Sequence, residues 1–219
     1  MKEKTTTSTK GLDSRRLYFD YAASTPIAKE VLQEMEPYFS LKFGNPGSLH
    51  SFGQEASAGV DLARERIART LDLPDESGFH EIIFTGSATE ANNLALRGVL
   101  KAIRTIRITS ESTNKSEKSF EENSGNSDQL PRIIVSAIEH ESVLETARDL
   151  EKNEGVDVVY LPVDSCGVVD LGRLKESLNE RTILVSIIHA SNEIGTIQPL
   201  AKISEVIKNF RESKVTGSK

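Results

Sequence analysis

The chain has 219 residues, 37% hydrophobic, 27% charged and 5% aromatic, with no Trp. That is an ordinary globular composition, and it excludes collagen-like, disulfide-rich and membrane-spanning chains. Lys plus Arg is 27 against 33 for Asp plus Glu, a formal net charge of −6. An acidic balance argues against broad binding to nucleic acid or to anionic membranes, which need a basic face.

The first sixteen residues read as a polar tail, without the apolar core of a secretory signal. A helix is expected from Pro26, with Thr25 as its N-cap and proline at the first helical position. Residues 43–50 (FGNPGSLH) set Gly, Asn-Pro and Gly in succession, a rigid irregular loop that shapes a site mouth or is turn chemistry alone. Val60, Ala63, Ile67 and Leu71 then fall at helical spacing.

Residues 81–85 (EIIFT) form the first predicted strand. It leads through Gly86 and Ser87 into a helix ending near Arg104. Such a turn leaves free N–H groups at a helix N-terminus, where the dipole favours an anion such as phosphate. Ser87 and Thr89 add hydroxyls there, and a plain N-cap explains the same residues. Residues 109–130 carry six serines, with Phe120 and Leu130 as the large apolar residues. That stretch is expected to be a disordered surface insertion, or a partner-binding one, because it has too little apolar surface to offset ordering.

Further strands are expected at 132–137 (RIIVSA), 156–161 (VDVVYL) and 182–188 (TILVSII). The richest of these do not alternate, which suits burial on both faces. Helices are expected around Leu144–Leu150, Leu171–Leu178 and Ile203–Phe210, followed by a polar tail at 211–219. Strands alternating with helices predict an α/β fold with a largely parallel sheet. Polar clusters follow two of these strands. Glu139-His140-Glu141 comes after 132–137, and His189-Ala190-Ser191-Asn192-Glu193-Ile194-Gly195 after 182–188. Parallel sheets bind ligands outside their carboxyl strand ends. His140 stands there as a catalytic or ring-stacking imidazole, or as an idle helix-start histidine. Asn192 stands there as a ligand-binding amide, or as part of a capped loop. Together with the 86–89 turn, the set suits a phosphorylated, planar cofactor. The single cysteine, Cys166, fits a reducing compartment and the cytoplasm, supplies no Cys-based metal framework, and reads as a turn residue.

Five segments in order resemble the N-terminal half of a cysteine desulfurase. They are YFDYAASTP (18–26), FGNPGSLHSFG (43–53), FTGSATEANNLAL (84–96), IEHESVLET (138–146) and SNEIGTIQP (191–199). Cysteine desulfurases are pyridoxal 5′-phosphate (PLP) enzymes of the class V aminotransferase family, which the resemblance implies for this chain. The FGNPGS and SNEIG forms resemble the group serving iron–sulfur cluster assembly and tRNA thiolation more than the second desulfurase group. The resemblance spans about 17–210 and implies part of a three-layer α/β/α transferase domain, cut before its central strands. It implies that the Ala88 N–H and the Thr89 hydroxyl bind the cofactor phosphate. It also implies that His140 stacks on the ring and transfers protons, and that Asn192 contacts the ring's phenolic oxygen side. The family's cofactor lysine (in Ser-x-His-Lys), its Asp-Ala-x-Gln strand end and its sulfur-accepting cysteine come later than Lys219. The expectation is therefore a half-enzyme, inactive alone, whose partner is the complementary half. The intact family implies a homodimer and sulfur-acceptor scaffold proteins. Two alternatives are a non-catalytic remnant and half of another class V enzyme, such as a selenocysteine lyase or an aminotransferase.

Overall fold

The computed structural model describes residues 17–74, 80–112 and 130–216. The N-terminal tail to residue 16 and the heart of the serine-rich insertion lie outside them. The described residues divide into two compact units, Met1–Ile82 and Ile83–Lys219.

The first unit is built on helices α1 (Lys29–Ser40) and α2 (Ser51–Thr70). The start expected at Pro26 is displaced: α1 begins at Lys29 with Ala28 at its N-cap and no side-chain cap. Thr25 therefore does not cap it. The loop before α2 is as tight as its Gly-Asn-Pro-Gly composition demands. Asn45 Oδ1 accepts from the Gly47 N–H at 2.9 Å, and the Ser48 N–H donates to the Asn45 carbonyl at 2.9 Å. His50 caps α2, its Nδ1 accepting from the Gly53 N–H at 3.3 Å. A Cβ on Gly53 would stand 2.2 Å from the Ser48 carbonyl oxygen, and one on Gly44 would stand 2.4 Å from that of Phe52. Neither backbone group yields cheaply. Gly53→Ala is expected to destabilise this unit by about 1–3 kcal/mol. Faster hydrogen exchange of the α2 amides is the measurement that checks it.

The second unit is an α/β layer structure. Its elements are α3 (Ala88–Ser112), β1 (Arg132–Ser136), α4 (Glu141–Glu154), β2 (Asp157–Leu161), α5 (Leu171–Ser177), β3 (Thr182–Ser186) and α6 (Leu200–Thr216). The sheet is parallel with order β2-β1-β3. Central strand β1 lacks alternation because both its faces are buried. Ile133 and Val135 join Leu96, Leu100, Val143, Ala147 and Leu150 under α3 and α4. Ile134 joins Leu161, Leu174, Leu178 and Ile203 under α5 and α6. Helices therefore cover both faces, as the non-alternating runs predict. Edge strand β3 is half-buried along its whole length.

Two boundaries differ from the sequence reading. Residues 81–85 are not a strand: Ile83 and Phe84 are exposed, and none of the three described strands pairs with the segment. A strand's N–H and C=O groups need a neighbouring strand to satisfy them, and propensity alone does not supply one. Helix α3 also runs past Arg104 to Ser112, taking in the first residues of the expected insertion, and α6 continues through Thr216.

No helix among the described residues is long and apolar enough to cross a membrane.

Candidate cofactor site

The sheet topology creates the site. β1 leads into α4 on one face of the sheet, while β3 leads into α6 on the other. Their carboxyl-end loops thus depart in opposite directions and leave a crevice between adjacent strands, a topological switch point. A cleft of about 310 Å³ opens there. Its walls come from residues 137–141 after β1 and residues 188–194 after β3, and both His140 and Asn192 line it.

His140 is exposed and is the N-cap of α4. Its Nδ1 accepts from the Ser142 N–H at 3.0 Å and lies 2.8 Å from Ser142 Oγ. Asn192 sits at the tip of a turn built by Ser191. The Ser191 hydroxyl accepts from the N–H groups of Glu193 and Ile194, each at 3.3 Å. Gly195, at φ 71°, adopts the left-handed backbone that lets the turn close, its N–H donating to the Ser191 carbonyl at 2.9 Å. Ala190 and Ile197 pair across the base as an antiparallel bridge.

Glu139 joins the two walls. It is only 8% exposed. Its Oε1 accepts from the Ser136 hydroxyl at 2.7 Å and from the Ile188 N–H, and its Oε2 accepts from the Ser186 hydroxyl at 3.4 Å. One carboxylate thus ties the end of β1 to the end of β3. Sequence spacing does not reveal that Glu139 ties the two walls, because Ser186 and Ile188 lie almost fifty residues away. No local pattern announces that contact.

Ala88 and Thr89 do not line the cleft. They open α3, where Ser87 is the N-cap: its Oγ accepts from the Glu90 N–H at 3.1 Å. Glu90 reaches back past the N-cap to the Gly86 N–H at 2.7 Å, so Ser87 and Glu90 together hold the turn. The N–H groups of Ala88 and Thr89 and the Thr89 hydroxyl have no donor–acceptor partner among the described residues. Both residues are exposed. That leaves three donors at the positive end of a long helix.

Helices α3 and α4 are laced by a polar seam. Asn92 Nδ2 donates to Ser142 Oγ at 2.8 Å, Thr146 Oγ1 to Asn93 Oδ1 at 3.0 Å, and Arg97 to Asp149 at 2.7 Å. Arg104 pairs with Glu154 at 2.6 Å. The Arg97 guanidinium, then Asn153, hold the Asp149 carboxyl below its ordinary value of 3.8. A folded-state pKa below the unfolded one means that this contribution is present at neutral pH. It is lost as pH falls below 3.8 and through the lower folded-state value. Arg97→Gln is therefore expected to lower stability above pH 5 and to leave the acid end little changed, so that the acid limb of a stability–pH curve flattens, as thermal melts across that range would show.

Cys166 lies in the turn that follows β2, beside the 191–197 loop, whose Thr196 hydroxyl donates to the Cys166 carbonyl. Its N–H donates to Asp164 Oδ1 at 2.8 Å, and its side chain is exposed. Gln198, buried at 3% exposure, closes that turn by donating to the Gly167 carbonyl at 2.7 Å and accepting from the Val169 N–H at 3.0 Å.

A switch-point cleft and an open helix N-terminus are features that suit an anionic ligand such as a phosphate. The chain belongs to the class V aminotransferase family, whose model matches residues 17–112 and 106–216. Among curated relatives, the cysteine desulfurase IscS of Dictyoglomus turgidum (strain DSM 6724 / Z-1310) is 41% identical over 196 residues. That alignment covers 90% of this chain and 43% of the relative. The putative cysteine desulfurase IscS 1 of Bacillus subtilis (strain 168) is 39% identical, covering 90% and 44%. The solved structure of a NifS-like protein matches with a TM-score of 0.72 and 36% identity, covering 89% of this chain and 46% of that one. A structure of SspA in complex with cysteine matches with a TM-score of 0.70 and 35% identity, covering 89% and 48%. The chain spans less than half the length of the relatives that it matches. The sheet flanked by helices thus matches part of a PLP fold type I enzyme, and the family uses PLP.

The residues present fit that cofactor. Three unpartnered donors at a helix N-terminus suit its phosphate dianion. An exposed imidazole and a side-chain amide in one cleft suit a flat heteroaromatic ring with a phenolic oxygen.

Proposed function

We propose that this chain is the N-terminal part of a PLP-dependent cysteine desulfurase, which converts L-cysteine to L-alanine and passes sulfane sulfur to iron–sulfur cluster or tRNA-thiolation machinery. The observation that carries this reading is the convergence of His140 and Asn192 on one switch-point cleft. The kinship with the IscS relatives and with SspA, solved with cysteine bound, supports the substrate.

In this reading the Ala88 N–H and the Thr89 hydroxyl bind the phosphate at the start of α3. His140 stacks on the ring from its N-cap position on α4 and moves a proton at its imidazole. Asn192 donates to the phenolic oxygen side and orients the substrate. PLP, when bound, supplies an electron sink for the substrate carbon that loses a proton. Glu139 keeps the two cleft walls at a fixed separation. The cofactor-anchoring lysine and the sulfur-accepting cysteine are assigned to the remainder of a longer protein or to a complementary chain, and the working unit is a homodimer served by sulfur-acceptor scaffold proteins. The edge strand β3, half-buried and apolar, is the side of the sheet where further strands would pair. The cytoplasm, a reducing compartment, suits the exposed thiol of Cys166.

Sulfide release from L-cysteine tests the proposal. The 219-residue chain with PLP is expected to release sulfide no faster than free PLP. Mixed with a complementary segment bearing Asp-Ala-x-Gln, Ser-x-His-Lys and the sulfur-accepting cysteine, it is expected to exceed that rate. Release above free PLP by the chain alone, or none by the mixture, counts against the reading.

A further inference from the structure

The α3–α4 seam holds one bond that does more than join helices. Asn93–Thr146, Arg97–Asp149 and Arg104–Glu154 end at groups remote from the cleft. Asn92–Ser142 ends on a hydroxyl that is itself 2.8 Å from His140 Nδ1. Both Asn92 and Ser142 are half-buried, whereas the His140 ring that they reach is exposed.

We propose that Asn92 and Ser142 are positioning residues that fix the tautomer and ring orientation of His140 and pin it to the helix that presents Ala88 and Thr89. Two donors meet at Nδ1. The Ser142 backbone N–H points to it at 3.0 Å. The Ser142 hydroxyl takes the Asn92 amide on a lone pair, which leaves its own hydrogen for Nδ1. A ring nitrogen approached by two donors is an acceptor, so the proton of the neutral ring sits on Nε2. The backbone N–H alone leaves the ring free to pivot about one contact; the hydroxyl, held by Asn92, supplies a second and sets the ring plane. Because Asn92 lies one turn into α3, the same chain of bonds couples the imidazole to the phosphate-binding end of that helix. The use of this coupling in cofactor binding rests on the PLP reading above.

The test uses the full chain, labelled with nitrogen-15 histidine and free of cofactor. His140 is assigned by the signals lost in His140→Gln. Long-range proton–nitrogen spectra, recorded above the histidine titration range, are expected to show Nε2 protonated and Nδ1 bare. Asn92→Ala and Ser142→Ala are each expected to shift both nitrogens toward the tautomer average. Ser142→Thr, which keeps the hydroxyl, is expected to restore the wild-type pattern. An averaged or Nδ1-protonated ring in the wild type, or an unchanged pattern in both alanine variants, overturns the proposal. Pyridoxamine 5′-phosphate, which has the ring and phosphate but no reactive aldehyde, gives a second readout. Its affinity is expected to fall about fivefold in each alanine variant and to stay unchanged in Ser142→Thr. If the wild type binds it and the alanine variants bind it equally well, the positioning role is wrong. If the spectra behave as expected but the wild type binds none, the positioning stands and the cofactor reading falls.

Discussion

Glu139→Ala is expected to lower the stability of the second unit by about 3 kcal/mol, from the loss of charge-assisted hydrogen bonds inside the fold. The carboxylate accepts from two hydroxyls and a backbone N–H and is almost fully buried. Ser136, fully buried, would keep its hydroxyl with no acceptor in place of Oε1. Removing an acceptor while leaving its donors buried costs more than the bond itself contributes. Chemical denaturation followed by circular dichroism measures the loss. Glu139→Gln keeps an acceptor oxygen but sets an amide against the second donor, so a loss of about half that size is expected. An alanine variant as stable as wild type would show that β1 and β3 need no such tie.

The second large effect is expected from Ala88→Pro. Ala88 is the first residue of α3, and proline is tolerated there because the N–H has no helical partner. Ser87 before it is a non-helical N-cap, which is the conformation that proline favours in its predecessor. The helix is therefore expected to persist, with helical content unchanged by circular dichroism. In the proposed reading, the substitution removes one backbone donor that would bind the phosphate. Affinity for pyridoxamine 5′-phosphate is expected to fall roughly tenfold or more, the range for a hydrogen bond to a charged group. Thr89→Val, which trades the hydroxyl for a methyl of similar shape, is expected to fall within the same range. Unchanged affinity in both variants would place the phosphate elsewhere.

Much of the second unit is legible in the sequence because its strands are buried on both faces. The runs at 132–137 and 182–188 lack alternation, and the structure shows the cause for the first: Ile133 and Val135 pack one way and Ile134 the other. The failure at 81–85 has the same root. Its β-branched residues carry strand propensity, but pairing is a tertiary event and no described strand lies beside it. The displaced start of α1 is a cap misassigned from Thr25-Pro26, a local pattern that fits a turn as well as a helix. Within the site, His140 and Asn192 were visible because each follows a recognisable strand. Glu139, Asn92 and Ser142 were not, because their importance comes from contacts across almost fifty residues or more. Sequence spacing locates groups on their own elements, and only the strand order β2-β1-β3 brings those elements together.

In the proposed reading, the switch-point cleft and the start of α3 form one cofactor site. The most direct measurement is a titration of the full nitrogen-15-labelled chain with pyridoxamine 5′-phosphate, followed by chemical-shift perturbation. Saturable shifts centred on the amides of Ala88 and Thr89, the His140 ring and the Asn192 side chain are expected. Perturbations confined to other surfaces, or none at saturating ligand, would contradict that reading.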